Sequence, residues 1–255
     1  MYKKHQDLLF FIGLLLVVNI IDAGLFLILN YFDLLTYSQL VSISILTFPV
    51  IFGSAILYTL KRFKIKLEFK GVFLSPEIII VSFFLFLMIF IVQNAIDKSF
   101  IDALVDGDLK FLERSMRAPE GSHGYLVIMV SVVFVPIVEE IFYRGIIFKK
   151  MLESYSLTIS ILITSFLFAL MHWNLEGLLA YFLIGLAFTY IYYLTKALWL
   201  NILLHGFYNL LSSCFILTTY EISDPWYRIG LFIYIVCAIG IYLSVKRLRF
   251  LVPNI

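Results

Sequence analysis

Apolar residues run along this chain in about eight long stretches, separated by short polar segments. Their approximate limits are 8–30, 39–60, 73–96, 124–150, 156–173, 176–194, 198–219 and 226–245. A helix that crosses a bilayer needs about 20 mostly apolar residues, and each stretch is close to that length. The pattern predicts an all-α fold, a polytopic membrane helical bundle with about eight transmembrane helices. No internal repeat, low-complexity tract or Pro/Gly-rich linker interrupts it, so residues 1–255 read as a single transmembrane domain.

Composition agrees. Of 255 residues, 62% are hydrophobic and 14% charged, with a mean hydropathy of +1.01; soluble domains are about half apolar and about a quarter charged. The expected surroundings are a lipid bilayer. No basic tract suited to nucleic acid occurs, which excludes that class of partner. The apolar run that begins at Leu8 continues to about Leu29 with no A-x-A cleavage pattern, so it reads as a retained first span, not a signal peptide. Cys214 and Cys237 both fall in apolar spans and suggest neither a disulfide framework nor a cysteine metal site.

Basic residues orient the spans, because cytoplasmic loops are enriched in Lys and Arg. Lys3 and Lys4, the group Lys61, Arg62, Lys64, Lys66 and Lys70, then Lys149, Lys150 and Lys196, and finally Lys246, Arg247 and Arg249 fall in every second connection, and so on one side. Both termini are therefore expected in the cytoplasm. Residues 97–123, with mixed charge and some amphipathic character, are expected to lie along the outer surface.

Three polar clusters interrupt the apolar pattern. An ionisable side chain at membrane depth costs a few kcal/mol on insertion scales, so each cluster needs a reason. The first is Glu139-Glu140-Ile141-Phe142-Tyr143-Arg144 on the fourth span. Glu140 and Arg144 are four apart and share a helix face, which predicts a structural ion pair. Glu139 is rotated by about 100° and meets Tyr143, not a cation, at i+4. It is the candidate for acid–base chemistry, with Glu140 in support. Pro136 denies Val132 its hydrogen bond and is expected to bend the helix, opening space beside Glu139. The bland alternative is a structural charge network. The second cluster is Phe168-Ala169-Leu170-Met171-His172 at the end of the fifth span, where Phe168 and His172 share a face and Phe168 forms an apolar wall beside the imidazole. The third, His205-Gly206-Phe207-Tyr208-Asn209, puts His205 and Asn209 on one face of the seventh span. Asn209 either orients His205, or both donate hydrogen bonds to a developing oxyanion, or both serve interhelical hydrogen bonding. Asp22 is isolated in the first span and suggests an interhelical contact, and His5 and His123 read as surface residues.

A single site built from all three clusters requires convergence in depth. Counted at about 1.5 Å per residue from the assigned cytoplasmic ends, Glu139 lies roughly 16 Å deep, His205 roughly 10 Å and His172 roughly 24 Å.

The series E-E-x-x-x-R, F-x-x-x-H and H-x-x-x-N on successive spans resembles the CPBP family, which includes type II CAAX prenyl endopeptidases and the bacteriocin-processing and self-immunity (Abi) proteins. The resemblance covers a motif-bearing core at about residues 124–215. It implies an intramembrane endopeptidase cutting a peptide or membrane-protein substrate, and the short loops and compact length suggest a bacterial cell membrane. It further implies that Glu139 and His172 activate water, that His205 and Asn209 form the oxyanion site, and that Glu140, Arg144 and Phe168 belong to the same machinery. Glu139, His172 and His205 would also make a His₂Glu zinc set; no H-E-x-x-H motif is present, and a metal-free glutamate–histidine mechanism is the preferred expectation. Two other readings are a non-catalytic immunity or scaffold protein of the same fold and a small-solute transporter. The first would be favoured by loss of a motif residue, and none is lost. The second is disfavoured because repeated halves are absent.

Overall fold

The computed structural model describes residues 2–31, 37–67, 74–99, 128–172, 177–217 and 226–252. The expected outer-surface segment 97–123 and His123 lie outside these, apart from the end of the third helix. Among the described residues the protein is all-α, with eight helices and no strand. These are α1 (Tyr2–Tyr31), α2 (Tyr37–Phe63), α3 (Pro76–Ser99), α4 (130–152), α5 (Leu157–Leu170), α6 (Leu178–Thr195), α7 (Leu198–Leu217) and α8 (Trp226–Leu251). Each falls on one of the eight expected stretches. Three contain segments long and apolar enough to cross a membrane by length and composition: His5–Leu29, Pro76–Gln93 and Leu178–Thr195. Helix α5 is shorter than expected. Its 14 residues extend about 21 Å, less than the ~30 Å hydrocarbon core.

The chain divides into two compact units. The first comprises Met1–Leu67, Lys110–Ser160 and His205–Thr218, and the second Glu68–Leu109, Ile161–Leu204 and Thr219–Ile255.

In the first unit α1 packs on α2, and α2 packs on α4. Phe11, Leu15 and Val18 of α1 recur at helical spacing and are buried, whereas Leu16, Val17, Ile20 and Ile21 are exposed. That is the arrangement of a helix with lipid on its outer face, where apolar side chains carry no penalty. Phe142 of α4 fills the centre. Its ring meets Phe11 at 6.4 Å and Phe52 at 5.7 Å, both edge-on, a geometry favoured by the ring quadrupole. Asp22 accepts a hydrogen bond from Thr47 Oγ1 at 3.3 Å, which is the interhelical contact its sequence position suggested. His5 lies at the surface and contacts the Tyr155 hydroxyl at 3.3 Å through Nδ1.

In the second unit α3 contacts both α6 and α8. Phe86 stacks on Phe188 at 6.2 Å. Cys237 and Ser244 are buried on α8, and the α8 backbone comes so near α3 that a Cβ on Gly240 would stand 3.0 Å from Met88 Cγ. Cys237 is a free, buried thiol and behaves as a small core residue.

Helix α4 is not a regular α-helix. It runs as a π-helical turn (Val130–Phe134), an α-helical segment (Val135–Glu140), a longer π-helical segment (Ile141–Phe148) and a final α turn (Lys149–Leu152). The break expected at Pro136 is thus a change of hydrogen-bond register on either side of the glutamate pair. Gly206 of α7 lies directly against the first break: a Cβ there would stand 2.6 Å from the Val132 carbonyl oxygen. The lack of a side chain lets α7 approach the α4 backbone. Gly206→Ala is therefore expected to destabilise the protein by about 1–3 kcal/mol through overpacking. Gly13→Ala, where nothing lies within 4 Å, is expected to be neutral or stabilising by up to about 1 kcal/mol. Thermal unfolding of both variants in detergent checks this; a Gly206→Ala protein as stable as wild type would contradict the close approach.

Candidate active site

The π turn that opens α4 leaves a carbonyl without a partner in its own helix. The Val135 N–H reaches back five residues to the Val130 carbonyl, so it does not serve Ser131, its α-helical partner. Five residues beyond Ser131 is Pro136, which has no N–H. The Ser131 carbonyl is therefore excluded from both the α and the π ladder. A buried or half-buried carbonyl in that position must find a donor elsewhere, and Asn209 Nδ2 donates to it at 2.7 Å. Asn209 thus anchors α7 to the broken turn of α4. It does not orient His205, which was one of the alternatives its spacing left open.

One turn further along, the charged residues meet. Glu140 and Arg144 are both fully buried, and Arg144 Nη1 donates to Glu140 Oε1 at 2.7 Å, the i,i+4 pair expected from the sequence. The same oxygen lies 2.9 Å from Nδ1 of His205, itself 2% exposed. Because Oε1 already accepts from a guanidinium, it acts as a carboxylate oxygen, and His205 Nδ1 is the donor. This fixes the ring orientation and turns Nε2 towards the other glutamate: Nε2 stands 3.7 Å from Glu139 Oε2. One imidazole therefore links two adjacent carboxylates, with a hydrogen bond on one side and a longer, charge-range contact on the other. Glu139 is buried, and its Oε2 has no hydrogen-bond partner among the described residues. A carboxylate oxygen buried in that condition is unfavourable unless something polar is bound there during function.

His172 lies in the second unit, just past the last residue of α5. Its backbone N–H has turned to the Ala169 carbonyl at 3.2 Å, releasing the Phe168 carbonyl that an α-helical His172 would have served. The side chain takes over that role, with Nδ1 2.9 Å from the Phe168 carbonyl oxygen. A carbonyl only accepts, so Nδ1 carries the proton, and Nε2 is the basic nitrogen of the neutral ring. The Phe168 ring meets the imidazole edge-on at 4.8 Å. This explains the spacing of four: the histidine caps its helix through the residue one turn back. Phe168 itself is 1% exposed and also packs on α6, where a Cβ on Gly185 would stand 3.2 Å from its Cδ1. Its ring thus lies beside the imidazole, as the apolar wall that the spacing suggested. On the other side Tyr181 of α6 stacks on His172 with centroids 3.9 Å apart and planes 19° from parallel. Tyr181 carried no signal in the sequence, being one of 16 tyrosines in a mostly apolar chain.

The structure thus brings Glu139, Glu140, Arg144 and His205 together, with Asn209 one turn beyond His205 on α7, and places His172 with Phe168 in the second unit. Residues 121–211 match the family described as "Type II CAAX prenyl endopeptidase Rce1-like". All seven motif residues fall inside that range. The match is to about a third of the chain, and it falls on the segment where the sequence motifs lie. A curated protein of Bacillus subtilis (strain 168), "Putative membrane peptidase YdiL", is 38% identical over 84 residues. That match covers 33% of this chain and 34% of the relative. No solved structure matches the chain. The segment similar to that family thus coincides with the one that carries the irregular helix and the buried charges, in an all-α membrane protein.

Glu139, His172 and His205 are the side chains that a His₂Glu zinc site would need, so the donor set matters. Among the described residues no three His, Cys, Asp or Glu side chains are grouped to hold a metal ion. His205 uses Nδ1 on Glu140, and only Nε2 remains directed at Glu139.

Because Glu140 serves two buried donors and Glu139 Oε2 serves none, the two glutamates should respond differently to the same substitution. Glu140→Gln leaves Arg144 without its carboxylate and is expected to cost about 3–5 kcal/mol. Glu139→Gln is expected to change stability by less than about 1 kcal/mol. Thermal or denaturant unfolding in detergent distinguishes them; equal losses would contradict the division of roles.

Proposed function

We propose that this protein is an intramembrane endopeptidase that hydrolyses a peptide bond in a membrane-associated peptide or protein precursor, using water activated by glutamate and histidine. One observation carries the reading: a buried chain Arg144–Glu140–His205–Glu139 within the CPBP-like segment, ending on a carboxylate oxygen that the fold does not use.

The proposed steps follow from these side chains. Glu139 removes a proton from water as its oxygen attacks the peptide carbonyl. Negative charge develops on the carbonyl oxygen. His205 in its doubly protonated form donates through Nε2 to that oxygen, while Glu140 holds Nδ1 and compensates the charge. The C–N bond then breaks, and the proton held by Glu139 passes to the leaving amine. The resemblance adds His172 as the partner of Glu139 in activating water. Its Nδ1 proton is committed to the Phe168 carbonyl, so it would act through Nε2. Arg144 stays outside the bond-making steps and keeps Glu140 ionised.

The same reading makes the chain a multi-pass protein of a bacterial cell membrane, with both termini on the cytoplasmic side. The alternation of Lys/Arg-rich segments and the Bacillus relative support it.

Glu139→Gln preserves shape and removes the base, so cleavage of a membrane-associated peptide in proteoliposomes is expected to fall by about 10²–10⁴-fold, with insertion and thermal stability retained. Full activity in Glu139→Gln would remove the assignment. Elemental analysis of the active wild type belongs to the same experiment. About one zinc per chain, lost with activity in both His172→Ala and His205→Ala, would replace this mechanism with a metal-assisted one.

A further inference from the structure

The polar atoms that face α7 from α4 come from two places, the glutamate pair and the broken turn before Pro136. Asn209 belongs to the second. Its amide nitrogen is 2.7 Å from the Ser131 carbonyl, which is left outside both helical registers because Val135 bonds to Val130 and Pro136 has no N–H. Next to it, the Val132 carbonyl sits where a Cβ on Gly206 would be 2.6 Å away. One residue earlier on α7 is His205, whose Nδ1 meets Glu140. Three consecutive features of α7 thus meet three features of α4: Asn209 with Ser131, Gly206 with Val132, His205 with Glu140. A slide of α7 by even 1 Å would break the first and last contacts together.

We propose that Asn209 is a positioning residue: its side-chain amide replaces the N–H that Pro136 lacks, and so fixes the register in which His205 meets Glu139 and Glu140. The clamp is a substitution of one donor for another. A donor restored to the α4 backbone makes it dispensable. This separates it from a role in which Asn209 donates to a reacting oxygen, since such a role is indifferent to what stands at position 136. The consequence for cleavage rests on the proteolytic reading above, whereas the consequence for stability does not.

The test is a double-mutant cycle on the full-length protein with Pro136→Ala, Asn209→Ala and the pair, read by melting temperature in detergent and by cleavage rate in proteoliposomes. Alanine at 136 supplies an N–H four residues beyond Val132 and five beyond Ser131. In the Pro136 protein, Asn209→Ala is expected to lower the melting temperature by about 2–10 °C and cleavage by about 10²-fold, the scale of a 1 Å misplacement. In the Pro136→Ala protein both losses should shrink to less than half. Equal losses of melting temperature in the two backgrounds would overturn the proposal. So would an undiminished loss of cleavage. If wild type cleaves nothing, the proteolytic reading fails and the melting temperatures still decide the clamp. If Pro136→Ala does not fold, Asn209→Leu, similar in volume but without a donor, takes its place: a fall at least as large as in Asn209→Ala supports the clamp, and a wild-type melting temperature overturns it.

Discussion

One carboxylate oxygen organises this protein's interior. Glu140 Oε1 accepts from Arg144 at 2.7 Å and from His205 at 2.9 Å, with all three residues buried. Removing such groups from water costs several kcal/mol per ion, and hydrocarbon offers nothing in return. The cost is bearable only where each group meets its partner in good geometry. This constraint ties α4 to α7, since neither can move along the other without stranding a charge. It also fixes the imidazole, because a ring held by Nδ1 has only Nε2 left to present. Glu139 receives that nitrogen at 3.7 Å, close enough for charge to matter and too far for a direct hydrogen bond.

The backbone of α4 supports this arrangement by being irregular on both sides of the glutamates. π-Helical segments are uncommon and occur often at functional sites. At the first, Val135 bonds to Val130 and Pro136 has no N–H, so neither the α nor the π partner of the Ser131 carbonyl serves it. The irregular turn also turns a fault into an attachment point, because the orphaned Ser131 carbonyl and the bare Gly206 backbone let α7 dock close by. On the other helix with a motif histidine the same economy recurs in smaller form. Helix α5 ends where His172 withdraws its backbone N–H from Phe168 and offers its ring instead.

Much of this was legible from residue pattern alone. All eight helices coincide with apolar stretches, because lipid-facing and core-facing positions are both apolar and length then marks each element. The Glu140–Arg144 pair followed from spacing, and Asp22 proved to be an interhelical contact. What could not be read were contacts between residues far apart in sequence. His205 and Glu140 are separated by 65 positions, and nothing in either cluster announces that one imidazole spans both glutamates. Spacing grouped Asn209 with His205, yet its amide serves a carbonyl 78 residues away. Helix α5 ends earlier than the apolar pattern predicts, since Met171 and His172 are compatible with a helix until the histidine side chain competes for the last carbonyl. Tyr181 was invisible because stacking leaves no periodic trace.

The central claim is that Glu140 holds the Nδ1 proton of His205 and thereby aims Nε2 at Glu139. The most direct measurement is the ¹⁵N NMR spectrum of histidine-labelled protein in lipid bilayers, with the His205 signals identified by their loss in His205→Gln. The account predicts a protonated Nδ1 on His205, whether the ring is neutral or doubly protonated. A neutral His205 with its proton on Nε2 and a bare Nδ1 would contradict it.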